Sequence, residues 1–114
     1  MNTLNSVLIE GVVSGEPKAS VADGGVAICT FQLQAERCAR VEDVVDTDVS
    51  RYTIRTSGRL ADACIKSIGS GTGVRVIGRL HEDKELGVII VADHIEWKPA
   101  VKPGQDDGGG IHEL

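Results

Sequence analysis

The hydrophobic period of this chain changes at one place. In "RLADACIKSI", Arg59 to Ile68, the apolar residues Leu60, Ala63, Cys64 and Ile68 fall at i, i+3, i+4 and i+8, the spacing of one face of an α-helix. Gly69 stands just past the end, where a C-cap would be. On both sides the runs are strand-like. A single helix of about three turns set inside a β chain leaves few architectures open.

Three strands precede the helix. "LNSVLIEGVV", Leu4 to Val13, alternates apolar and polar residues and is expected to end at the Gly/Pro turn in "SGEPK". "VAICTFQLQA", Val26 to Ala35, places Ala27, Cys29, Phe31, Leu33 and Ala35 on one face. "SRYTIRTS", Ser50 to Ser57, is the third. Two more, "GVRVIGRL" (Gly73 to Leu80) and "GVIIVADHIEW" (Gly87 to Trp97), read as a hairpin joined by the turn "HEDKEL". Three strands, a helix and two strands is the order of an OB-fold, a five-stranded Greek-key barrel with the helix between strands 3 and 4. A generic small β-barrel is the alternative.

The 114 residues suit one domain, hiding roughly 65% of the unfolded surface. Its core must be aliphatic, since Phe31, Tyr52 and Trp97 are the only aromatics. The barrel is expected over 1–97. The stretch 98–114, "KPAVKPGQDDGGGIHEL", has two prolines, four glycines and little to bury, so a disordered tail is expected there.

The formal net charge of −5 rules out a protein uniformly coated to attract a polyanion, so any such site must be a local patch. The acids gather in "EDVVDTD", Glu42 to Asp48, in "HEDKE", His81 to Glu85, and at Asp106 and Asp107; each run is expected to be a solvated loop or tail. Cys29, Cys38 and Cys64 form no CxxC pair and suit small core or strand positions in a reducing compartment. No window reaches the ~20 apolar residues of a membrane span, and "MNTLNSVLIE" has no basic stretch before its apolar run. A cytoplasmic, nucleoid-associated protein with no membrane partner is expected. His81, His94 and His112 are scattered, and "GSGTG" lacks the Lys-Ser/Thr ending of a P-loop. No catalytic residue, cofactor or metal is expected.

From Asn5 to Trp97 the sequence resembles the bacterial single-stranded DNA-binding protein family. The resemblance rests on "NSVLIEG", "GEPK", "GGVAICTFQLQA" and above all "SGRLADACIKSIGSGTGVRVIGRL" with its "VxVxGxL" strand. It implies an OB-fold that binds single-stranded DNA with little sequence preference, a homo-oligomer expected to be a tetramer, roles in replication, recombination and repair, and replication or repair proteins as partners. The departures are specific. Where the family carries stacking aromatics, this chain has Arg37 at the end of the second strand, and Arg51 and Ser57 on the third. The last hairpin is short, and the tail ends "DDGGGIHEL" rather than in the family's short acidic tip. A second reading is therefore an adaptor like the primosomal OB-fold proteins, acting through protein contacts.

The third strand carries the candidate site. Side chains alternate faces along a strand, so Arg51, Thr53, Arg55 and Ser57 share one face, continued by Arg59, and Tyr52, Ile54 and Thr56 the other. Unpaired arginines cannot line a core, so their face must look outward. A guanidinium both pairs with phosphate and stacks on bases. Lys18, Arg37, Arg40, Arg75, Arg79 and Lys84 complete the expected binding set, while Arg37 and Arg40 could instead pair with Glu36, Glu42 or Asp43. Phe31 shares the apolar face of its strand and is expected in the core, and Trp97 at the barrel rim or between subunits.

Overall fold

The computed structural model describes residues 2–97 and 112–113. Its elements are β1 (Val7–Val21), β2 (Ala27–Val41), β3 (Val44–Ser57), α1 (Gly58–Ser67), β4 (Gly73–Asp83), β5 (Gly87–Trp97) and β6 (His112–Glu113). Antiparallel ladders join the strands in the order β3-β2-β1-β4-β5. A parallel contact of two pairs, Ile54 with Ile90 and Arg55 with Val91, brings β5 back to β3 and closes the barrel. The expected OB-fold, with its helix between the third and fourth strands, is the fold observed.

Strand β1 does not stop at "SGEPK". It pairs with β4 from Val7 to Val12 and with β2 from Val12 to Val21, and its register slips between Ser14 and Lys18. An inserted bulge bends a strand without ending it, and it takes Pro17, which has no N–H to give the ladder. One bent strand thus serves two walls of the barrel.

"EDVVDTD" is also not a loop. β2 and β3 stay paired in register to Val41 and Val44, leaving a turn of only Glu42 and Asp43, with φ of 50° and 65°. Two positive φ values in a row are those of the I′ turn that matches strand twist. The run is solvated as expected, since 36–49 are all exposed, but its backbone is a two-stranded ribbon. Helix α1 ends differently from its expected C-cap as well. Ile68 turns extended (φ −106°, ψ 127°), carrying its side chain into the core at 5% exposure, and Gly69 is not left-handed.

The core is aliphatic. Val13, Leu33, Ile54, Val76, Ile89 and Ile95 are fully buried, and each such side chain contributes about 1.5–3 kcal/mol. Phe31 is buried among them, and Trp97 closes the core at the end of β5. Helix α1 lays Ala61 and Cys64 under the barrel against β2. Gly78 lets β4 pass close to β5: a Cβ there would stand 2.1 Å from the Val91 carbonyl oxygen.

The expected tail lies outside the described residues except for His112–Glu113, which pair antiparallel with Trp97 and Glu96. Among the described residues no helix is long and apolar enough to cross a membrane.

Candidate nucleic-acid interface

Register fixes which side chains share a face. Cys29, Phe31 and Leu33 of β2 lie opposite Thr56, Ile54 and Tyr52 of β3 on the inner face, where Tyr52 alone stays exposed, so Ile28, Thr30, Gln32 and Gln34 look outward with Ser57, Arg55, Thr53 and Arg51. The alternation read from "RYTIR" therefore gives the observed faces. Thr56 is fully buried without an orphaned hydroxyl, because it donates to the Cys29 carbonyl at 3.1 Å. On the outer face Gln32 Nε2 donates to Thr53 Oγ1 at 2.8 Å.

The outward face runs across strands. Lys18 opposes Thr30, Thr30 opposes Arg55, Arg55 is in register with Val91, and Val91 opposes Arg79. Three cations thus stand in one row around the barrel wall. A parallel row, Val12–Gln34–Arg51, lies toward the ribbon. Lys84 sits in the exposed β4–β5 turn beside this wall.

The ribbon divides the two remaining arginines. Arg40, opposite Val45, continues the outward face of Arg51, whereas Arg37, opposite Asp48, belongs to the other face with Asp46. From 36 to 49 the ribbon carries five carboxylates against these two arginines, and it exposes Val41, Val44, Val45 and Val49. Cations thus prevail on the outer barrel wall and carboxylates on the ribbon.

Ion pairing separates the cations further. Arg75 Nε donates to Glu10 at 2.6 Å and Arg75 also reaches Glu96 at 3.4 Å, so its charge is spent within a cross-strand ladder. Its hydrogen bond to Glu10, then the charge of Glu10, holds the guanidinium above its usual pKa. Arg79 reaches Asp93 at 3.4 Å on open surface, a contact of little strength. Arg55 Nη1 lies 3.0 Å from Asp83 Oδ1. Among the described residues, Lys18, Arg37, Arg40, Arg51 and Lys84 enter no ion pair.

Sequence reasoning passed over Asp83. It ends β4, and its Oδ2 accepts the N–H groups of Glu85 and Leu86, each at 3.0 Å. Those two bonds, then the Arg55 hydrogen bond, hold its carboxyl below the usual range. The turn chemistry was legible in "DKELG", where Gly87 takes φ +76° to complete a tight hairpin. Its partner on another strand was not. The outward Thr30, Gln32 and Gln34 were also passed over, though their alternation with Cys29, Phe31 and Leu33 marks them.

Two other places are unsuited to a polyanion or to thiol chemistry. One concavity, of about 530 Å³, lies where β1 and β4 meet beside Val12 and Gln34, and its charged lining is Glu10, Glu36 and Glu96 with Arg75. Burial pushes the Cys64 thiol up to about 12 and raises that of Cys29, so both stay protonated core residues. Cys38 takes an exposed strand position on the ribbon, within the core-or-strand expectation.

The profile of the single-strand binding protein family matches residues 4–86. Among solved structures, the Plasmodium falciparum SSB in complex with ssDNA is similar at TM-score 0.71 and 20% identity, covering 100% of this chain and 97% of that one. The small single-stranded DNA-binding protein of Streptomyces coelicolor has TM-score 0.71 and 20% identity, over 83% and 92%. PriB of Ralstonia solanacearum has TM-score 0.67 and 15% identity, over 82% and 96%. No curated protein matches the sequence.

Proposed function

The chain belongs to the single-strand binding protein family, and from that premise we propose that it binds single-stranded DNA, with little sequence preference and without catalysis, on the outer wall of β1, β2 and β3. The observation that carries this reading is the outward face on which the unpaired Lys18, Arg51 and Arg40 flank the Asp83-paired Arg55, on a chain whose net charge is otherwise negative. Cations track phosphates while guanidinium planes and aliphatic stems pack against bases. Thr53 and Ser57 offer hydroxyls between them. Replication, recombination and repair are the settings in which such a binder acts.

Phe31 and Trp97 are buried and Tyr52 is the one exposed aromatic among the described residues, so base stacking has few platforms and binding leans on charge. Aromatic stacking contributes about 1–3 kcal/mol per base, and its loss means weaker, more salt-sensitive binding. With about four phosphates neutralised, the log-log salt slope is about −3. The test is fluorescence anisotropy with oligo-dT and with duplex across a salt series. Preference for oligo-dT with that slope supports the reading; a slope near zero, or equal binding to both, overturns it.

A homotetramer is part of the proposal. Leu8 and Ile77 oppose each other on the outer face of β1 and β4 at 70% and 38% exposure, an apolar pair that a second copy would cover. Native mass measurement with and without oligo-dT tests it, a monomer in both being the contrary result.

The scarcity of exposed aromatics also favours a second reading, a primosomal-type adaptor working through protein contacts. The distinguishing result is retention of a helicase-loading partner by an Arg51→Ala/Arg55→Ala variant that has lost oligo-dT.

A further inference from the structure

Resting on single-strand binding as just proposed, we infer that Asp83 is a positioning residue that withholds Arg55 from phosphate, so that the salt response of binding belongs to the unpaired cations around it. The geometry is a relay of contacts across the barrel seam. Arg55 lies at one of the two pairs that join β3 to β5, and its guanidinium meets Asp83 Oδ1 at 3.0 Å. The other carboxylate oxygen is fixed by the N–H groups of Glu85 and Leu86. Asp83 is therefore not a side chain free to swing away when a phosphate arrives. It is tied into a tight turn, with both partners mostly covered, at 29% and 21% exposure.

Arg51 differs in each respect. It is exposed, opposite the neutral Gln34, and enters no ion pair among the described residues. Two arginines four residues apart on one face are thus unequal: the charge of Arg51 is available to a phosphate, and that of Arg55 is already matched. Phosphate contacts release counterions only where a net charge is offered. Asp83 lowers the number of such contacts by one.

The test is Asp83→Asn, measured with oligo-dT by anisotropy over a salt series. Asparagine keeps an oxygen to accept the turn N–H groups but loses the charge that matches Arg55. The variant is expected to bind more tightly, with a slope steeper by about 0.7. Its advantage over wild type then shrinks about 2.6-fold between about 50 and about 200 mM salt. Adding Arg55→Gln to Asp83→Asn should return the slope to its starting value. In the otherwise wild-type chain, Arg55→Gln should flatten the slope less than Arg51→Gln, which flattens it by about 0.7.

Unchanged or weaker binding by Asp83→Asn overturns the inference. So does equal flattening by Arg51→Gln and Arg55→Gln, a comparison that stands even if Asp83→Asn fails to fold. Failure of every variant and of wild type to bind oligo-dT removes the underlying reading and this inference together, a result distinct from binding that ignores Asp83.

Discussion

From Ile28 to Gln34, strand β2 lies against Arg51–Ser57 of β3 as part of a barrel wall; from Glu36 to Val41 the same strand lies against Val44–Val49 with nothing beneath it. The hydrogen-bonding ladder is continuous through both. What differs is the inward face, which holds Phe31, Leu33 and Ile54 in one half and Arg37, Ala39 and Asp46 in the other. Charge follows the same division, with cations outward on the wall and carboxylates prevailing on the ribbon. Backbone pairing sets the geometry of both halves, but only the wall buries its inner face and only the wall carries cations without prevailing carboxylates.

The largest expected effect breaks the wall. Leu33→Ala should cost about 2–5 kcal/mol in urea denaturation, whereas Val45→Ala on the ribbon should fall within about 0.5 kcal/mol. Comparable losses at both would mean that the ribbon packs on something. Next comes charge. Removing Arg37, which faces away from Arg51, should leave the oligo-dT salt slope where it is, against the flattening of about 0.7 expected for Arg51→Gln; equal flattening would place the ribbon's second face on the DNA path.

A smaller effect sharpens the contrast in stability. Replacing Glu42-Asp43 with Asn-Gly relieves the left-handed strain of their positive φ and should steady the ribbon modestly, read as slower hydrogen exchange of ribbon amides with wall amides unchanged. The smallest is a pH effect at the seam. Because the folded state holds Asp83 below its ordinary pKa, its contribution to stability is complete above about pH 4 and is lost as pH falls through the depressed value. The stability gap between wild type and Asp83→Asn should therefore be flat near neutrality and close in acid. A gap that widens there would show the opposite linkage.

Much of the fold was legible because it rests on periods. The single helical spacing at Leu60, Ala63, Cys64 and Ile68 placed α1, and the alternation of Arg51 to Ser57 gave the outward face. Element ends were not legible where tertiary contacts override local signals. Gly15 and Pro17 read as a stop, yet β1 continues because each of its halves has a different partner strand. Acidic residues read as a loop, yet a two-residue turn keeps Asp46 and Asp48 in register. The candidate site was legible as a face but not as a set of charges, since the partners of Arg55, Arg75 and Arg79 lie on other strands or beyond a turn.

The closing seam between β3 and β5 also bears on how the chain reaches this shape. Ile54 and Arg55 meet Ile90 and Val91 only after α1 and β4 have been laid down between them, so these two pairs carry the entropy cost of a long loop for little ladder in return. The β2–β3 and β4–β5 hairpins, being local, form cheaply. Barrel closure is therefore expected late in folding, so Ile90→Val should speed unfolding in stopped-flow kinetics while leaving the refolding rate nearly unchanged.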